Sequence, residues 1–225
     1  MLPDNYRIRR MQPSDFDEII EICRTVYPTE TPYTVEQLAN HCQVYPQGQF
    51  VAYEAGTEAV AGVHFTLRLR MFDFHLDDSW DVLTSDGSFL DHNPEGPTLY
   101  GADIMVHPNH QHHGIAHALT DQARFLVEKE NLWRMVGASR LPGYGRHAEN
   151  LEVDRYLEGV LSGQLFDPVL SIHMKDGWVP VKPIHGYLQH DEESSGWAVV
   201  IQWVNPACPP PPEFELRNLK PRDDV

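Results

Sequence analysis

Between Leu99 and Val106 apolar residues dominate, and from Ile115 onward they recur as Ile115, Leu119, Ala123 and Leu126, with Val127 alongside. The first pattern predicts a buried strand. The second predicts an amphipathic helix, because helical side chains return to one face every three or four residues. Upstream, Tyr6 to Met11 alternates and predicts a short edge strand. Pro13-Ser14-Asp15 then opens a helix that Ser14 or Asp15 can cap. Its apolar face is Ile19, Ile20, Cys23 and Val26, and Pro28 ends it. Thr34 to Tyr45 repeats the design, with Val35, Leu38, Cys42 and Tyr45 on one face and Pro46-Gln47-Gly48 as the turn. Gln49 to Glu54 and Ala59 to Leu69 read as two strands of a hairpin around Gly56-Thr57.

After the Ile115 helix, Trp133 to Ser139 reads as another strand. Arg140-Leu141-Pro142-Gly143-Tyr144 leads into an acidic helical stretch, Glu149 to Leu161, that has the character of an insertion. A helix over Pro168 to Lys175 stops at Asp176-Gly177. Trp178 to Leu188 and Trp197 to Val204 are the last two strands. Beyond Pro206, with prolines at 209 to 212, the chain predicts an extended tail. The division is one domain over 1–205 and a proline-rich tail over 206–225, in a chain of 225 residues.

The junction between the central strand and its helix carries the first chemistry. Val106-His107-Pro108-Asn109-His110-Gln111-His112-His113-Gly114 is a polar loop, and Gly114 opens the helix. The first amides of a helix lack internal acceptors and the peptide dipoles add positive charge there, so phosphate oxygens are favoured. A residue without Cβ allows close approach.

Composition narrows the partners. A formal net charge of -16 at pH 7 argues against nucleic acid, which needs clustered Lys and Arg. From Met71 to Pro97 there are seven acidic residues (Asp73, Asp77, Asp78, Asp81, Asp86, Asp91 and Glu95) and no Lys or Arg, which is either a solvated loop or a funnel for an amine. No run is long and apolar enough for a membrane helix and no signal-peptide pattern opens the chain, so a soluble cytoplasmic protein is expected. Cys23, Cys42 and Cys208 are odd in number and widely spaced, which points to reduced thiols rather than disulfides or structural zinc.

The pattern Gln111-x-x-Gly114-x-Ala116, preceded by Val106-x-Pro108, resembles the pyrophosphate loop of the GNAT acyl-CoA-dependent acyltransferases, and the order of elements over residues 6 to 204 is similar to theirs. The resemblance implies an α/β (α+β) fold: a central mixed, mostly antiparallel sheet of about seven strands flanked by helices, with a helical insertion after the fifth strand. It also implies acetyl-CoA or a related acyl-CoA as cosubstrate, an amine acceptor and direct attack in a ternary complex. The pantetheine arm would pair with Ile104, Met105 and Val106 of the central strand. The Ile104 amide would polarise the thioester carbonyl, and the amides of Gln111, His112, His113, Gly114, Ile115 and Ala116 would hold the pyrophosphate. Tyr45 to Phe50, Leu99 to Asp103, Arg140 to Tyr144 and Phe166 to Leu170 further resemble the acyltransferase module that precedes carbon-nitrogen hydrolase domains in fusion proteins. Here it would be a free-standing relative without the hydrolase.

Proton handling is left among several residues. Many GNAT members carry a Tyr in the last helix that protonates the departing thiolate. His173 stands at that place here and reads either as an acid-base group or as a helix-surface histidine. Asp103 either orients or deprotonates the incoming ammonium, or accepts neighbouring backbone or Tyr donors. Tyr144 either donates to substrate or covers a loop, and Arg140 either binds an anion through its planar fork or makes an ion pair. Two rivals stand beside the enzyme reading. One is a metal held by His107, His110, His112, His113 and His117, of which His113 and His117 share an i,i+4 face; no His-Glu-x-x-His pattern or cysteine accompanies them, and no metal is expected. The other is a non-catalytic acyl-CoA sensor or interaction module, with a homodimer as one possible assembly.

Overall fold

The computed structural model describes residues 2–70 and 76–214. Seven strands form one sheet in the order β1-β2-β3-β4-β5-β7-β6: β1 (Tyr6–Arg10), β2 (Gln49–Glu54), β3 (Val60–Leu69), β4 (Thr98–Val106), β5 (Arg134–Arg140), β6 (Val179–His185) and β7 (Trp197–Val204). Every neighbouring pair is antiparallel except β4 and β5. That one parallel pair follows from the crossover helix α4 (Ile115–Lys129), since parallel strands cannot be joined by a tight turn.

Two cores result. On one face α1 (Phe16–Val26) and α2 (Val35–Val44) pack Phe16, Ile19, Ile22 and Leu38 against Val63, Phe65 and Leu67. On the other, α4 presents Ile115, Leu119, Ala123, Leu126 and Val127, the positions its periodicity predicts, against Leu99, Met135 and Ile201. Each large aliphatic side chain so buried contributes about 1.5–3 kcal/mol.

Local chemistry fixes the element ends. Thr34 caps α2, accepting from the Gln37 N–H at 3.2 Å while Gln37 Oε1 accepts from Thr34 N–H at 2.8 Å. Helix α1 is preceded by a 3-10 turn over Pro13–Asp15. Asp15 does not cap it forward as expected: its carboxylate reaches back to the Gln12 N–H at 2.8 Å and grips Arg9 at 2.6 Å.

The acidic segment, expected to be loop, contains a short helix, α3 (Trp80–Thr84), capped by Ser79. Asp73 lies outside the described residues, and Asp77 pairs with Lys182 at 2.6 Å. The insertion holds α5 (Val153–Leu161), and α6 (Leu170–Lys175) follows it. Both are tied down by Asp167, which is fully buried and accepts from the N–H groups of Gly143, Val169 and Leu170 and from the Tyr156 hydroxyl. Of the tail, residues 215–225 lie outside the described residues, and Phe214 packs on the Trp133 ring with centroids 4.4 Å apart.

Candidate active site

Strands β4 and β5 pair only at Thr98 with Arg134, Leu99 with Met135 and Tyr100 with Val136. Past Tyr100 they diverge, β4 staying with β3 and β5 with β7. The split sheet opens a cavity of about 1480 Å³ lined by residues of both strands. At the fork stand Gly101 and Gly137, and a Cβ on Gly101 would come within 3.3 Å of His64 Nε2.

Strand β4 is also bulged: Phe65 pairs with Asp103 but Thr66 pairs with Gly101, leaving Ala102 without a partner. A bulge turns two consecutive side chains to one face. Ala102 and Asp103 thus both face the side of α1, while Ile104 packs with the opposite core. The Ala102 carbonyl, freed from the ladder, accepts the Trp80 Nε1–H at 2.9 Å.

Asp103 is the electrostatic centre. Its oxygens accept from the Tyr27 hydroxyl at 3.3 Å and the Tyr33 hydroxyl at 3.4 Å. Burial pushes its pKa up to about 7, against the pull of both tyrosines and of the Ile104 N–H. The carboxylate in turn raises the pKa of Tyr27, aided by burial, and burial followed by Asp103 does the same for Tyr33, so both phenols stay protonated donors. Asp103 is therefore an acceptor for Tyr donors and also a cavity-lining group that titrates near neutrality.

His173 is no surface histidine. It lines the cavity from α6, next to Trp178, whose ring centroid is 6.1 Å away. Burial lowers its pKa to about 4, so it is neutral at pH 7. A neutral imidazole is not an effective proton donor to a thiolate.

Tyr144 falls outside the cavity lining, and the expectation of a substrate contact is corrected: the insertion folds over it. Its hydroxyl donates to the Leu151 carbonyl at 3.0 Å and its ring packs on Tyr156 at 5.3 Å. Arg140 lines the cavity, yet its guanidinium is committed to Asp191, Nε to Oδ2 at 2.8 Å plus a shorter second bond, and to Glu193 at 3.3 Å. The Asp191 bonds raise the Arg140 pKa. For Asp191 burial opposes ionisation, but Arg140 and Ser194 prevail and lower its pKa.

The loop Gln111 to Ala116 closes the other end of β4. Gln111 Nε2 donates to the Val106 carbonyl at 3.3 Å, and His112 and Gly114 take left-handed φ values of 64° and 73°. Such alternation gathers successive N–H groups around one concavity. Among the described residues, the amides of His112 through His117 have no protein acceptor, which leaves a ready anion cradle at the N-terminus of α4. The loop histidines are engaged separately: His110 with the Tyr6 hydroxyl at 2.9 Å, His113 with the His110 carbonyl, and His117 between Asp121 and Asp176. Among the described residues no group of three metal-ligating side chains converges.

Residues 14–140 match the model of the acetyltransferase (GNAT) family. The chain belongs to that family. YkwB of Bacillus subtilis, an uncharacterized N-acetyltransferase, is 30% identical, with 88% of each chain covered. YhcX of the same organism, a probable hydrolase, is 31% identical over 88% of this chain, which spans only 38% of that protein. Among solved structures, the GphF GNAT-like decarboxylase in complex with isobutyryl-CoA superposes with a TM-score of 0.73 at 24% identity, covering 88% of this chain and 98% of that one. At that identity the likeness is one of fold, and the fold is the GNAT fold.

Sequence reasoning missed Tyr27 and Tyr33, which bond Asp103, Trp80 beside them, His64 and Trp178 near His173, and Thr120, all of which line the cavity. Tyr27 follows α1, Tyr33 precedes α2 and Trp80 begins α3, so no spacing signal links them. Only Trp178, adjacent to the Gly177 that ends α6, was within reach of the motif that singled out His173.

Proposed function

We propose that this protein is an acyl-CoA-dependent N-acyltransferase of the cytoplasm that passes an acetyl or similar acyl group directly to a cationic amine. The carrying observation is Asp103, a half-buried carboxylate in the fork of β4 and β5, hydrogen-bonded by Tyr27 and Tyr33, whose pKa lies near 7. In this reading the acyl-CoA pyrophosphate rests on the amides of His112 to Ala116, Gln111 braces the loop, and the pantetheine arm runs along the free edge of β4 at Ile104, Met105 and Val106. The Ile104 N–H faces the thioester carbonyl.

The acceptor enters from the opposite mouth. Glu30, Asp81, Asp86, Glu192 and Glu193 line the cavity, and the one cavity-lining Lys or Arg among the described residues, Arg140, is paired. Such a mouth attracts ammonium groups and repels anions. Asp103 accepts a proton from the ammonium, the amine nitrogen attacks the carbonyl carbon, and the carbon–sulfur bond breaks while the second nitrogen proton passes to solvent. The thiolate leaves without taking a proton from His173. Partner nucleic acid is disfavoured by the net charge of -16.

A second reading, a non-catalytic acyl-CoA sensor, is favoured by one observation: the position expected to supply the acid holds a neutral histidine. Thiol release from acetyl-CoA with a panel of diamines, monoamines, neutral amides and acidic amino acids separates the two. Turnover confined to cationic amines is expected. Coenzyme A binding without turnover on any of them overturns the enzyme in favour of the sensor.

A further inference from the structure

His173 has two ring nitrogens in different situations. Nδ1 is shut off from solvent and has no hydrogen-bond partner. Nε2 is not among the sealed atoms and no protein group bonds it among the described residues, so it is the nitrogen that the cavity sees. Groups that act on the ring come from every side: Arg124 from α4, Asp167 ahead of α6, Asp176 at its end and His64 from β3. None of them hydrogen-bonds it.

A buried N–H without an acceptor is rarer and costlier than a lone pair without a donor. The ring proton therefore belongs on Nε2, where a ligand or water can receive its hydrogen bond. His64 is arranged oppositely: its Nδ1 meets the Leu119 carbonyl at 3.4 Å, which can only accept, so its Nε2 carries the lone pair. Burial lowers the pKa of both rings to about 4. The pair is thus neutral, with one donor and one acceptor.

We infer that His173 is a catalytic residue of a different kind from the thiolate-protonating tyrosine it replaces: a neutral, fixed Nε2–H donor to the acyl thioester in the cavity. It holds its proton throughout and stabilises charge by hydrogen bonding, as a preorganised donor does in a cleft of low dielectric. This rests on the acyl-CoA reading above.

The test is ¹H–¹⁵N NMR of the histidine rings in the whole protein, with S-acetonyl-coenzyme A as a non-hydrolysable ketone analogue of acetyl-CoA. His173 is assigned by the loss of its signals in His173→Gln. Between pH 6 and 8 the ring is expected neutral with its proton on Nε2, and the Nε2–H resonance moves downfield on saturation. A proton on Nδ1, an imidazolium at pH 7, or an unmoved Nε2–H with the analogue bound overturns the inference. Failure of the analogue to shift the amides of His112 to Ala116 refutes the acyl-CoA reading instead, and the tautomer still judges the ring. In kinetics, His173→Leu should lose on the order of 10²-fold in kcat with unchanged coenzyme A affinity. His173→Gln, which keeps an N–H donor, should recover most of that loss, and the pH–rate profile should not move. Abolition of turnover by both variants with a lost pH limb would restore proton transfer by His173.

Discussion

Replacing Asp103 with asparagine removes a charge that the fold keeps at a cost, and the cost can be sized. A carboxyl whose pKa moves from 3.8 to about 7 on folding penalises its ionised form by roughly 4 kcal/mol at 1.36 kcal/mol per pH unit. Its edge opens onto the cavity, where water screens it, so ~1–3 kcal/mol is the realistic range. The sign follows from proton counting. Below pH 3.8 both states are protonated and no penalty exists. As pH rises to about 7 the unfolded chain ionises while the folded one holds its proton, and folding stability falls; above 7 the loss is complete. Asp103→Asn, which keeps the shape and acceptor oxygen, should therefore melt near wild type at pH 4 and about 2–10 °C above it at pH 8. The same variant should lose turnover, and wild-type turnover should rise with pH through about 7 as the base ionises. Paired thermal melts across pH 4–8 decide the matter. A variant offset that stays constant with pH, or a variant less stable than wild type at pH 8, would refute both the raised pKa and the base built on it.

Other substitutions probe the rest of the site. Gly114→Glu places a left-handed side chain and a negative charge against the α4 cradle and should weaken coenzyme A at least 100-fold by calorimetry, with Gly114→Ala intermediate. Tyr144→Phe removes only a hydrogen bond to the Leu151 carbonyl, so it should cost about 1 kcal/mol in urea melts and leave kcat and KM unchanged. Arg140→Met leaves Asp191 buried without its partner; a loss of about 3 kcal/mol in stability is expected, larger than any effect on coenzyme A affinity. Trp80→Phe deprives the Ala102 carbonyl at the bulge of its donor and should lower kcat while coenzyme A binding stays intact.

What the sequence made legible was local. The α4 face of Ile115, Leu119, Ala123 and Leu126 and the glycine at its start follow from period and φ alone, so both were found at their places. The splay of β4 from β5 carries no local signal, since no residue of either strand announces where pairing stops. Helix α3 was hidden in an acidic stretch without an apolar stripe, because only Leu83 and Thr84 of its residues are buried. Asp103 was singled out on its own, but its two tyrosines are 76 and 70 residues away in sequence and arrive from loops. Of the two readings open for Tyr144, the loop-covering one is what the fold shows, because α5 and its Tyr156 pack over it, and no spacing in the sequence chose between them. His173 was placed by a motif, but its neutral state comes from burial that no motif encodes.

In the proposed reaction an acyl group passes directly from a thioester to an amine across the β4–β5 fork. Carbonyl-¹³C acetyl-CoA, incubated with the protein and the best amine of the cationic panel, tests it by mass spectrometry of products and intact protein. Direct transfer puts the label on the amine nitrogen as an amide, with equimolar free coenzyme A and an unlabelled protein chain. Label on the protein, or labelled acetate with an unmodified amine, would contradict it.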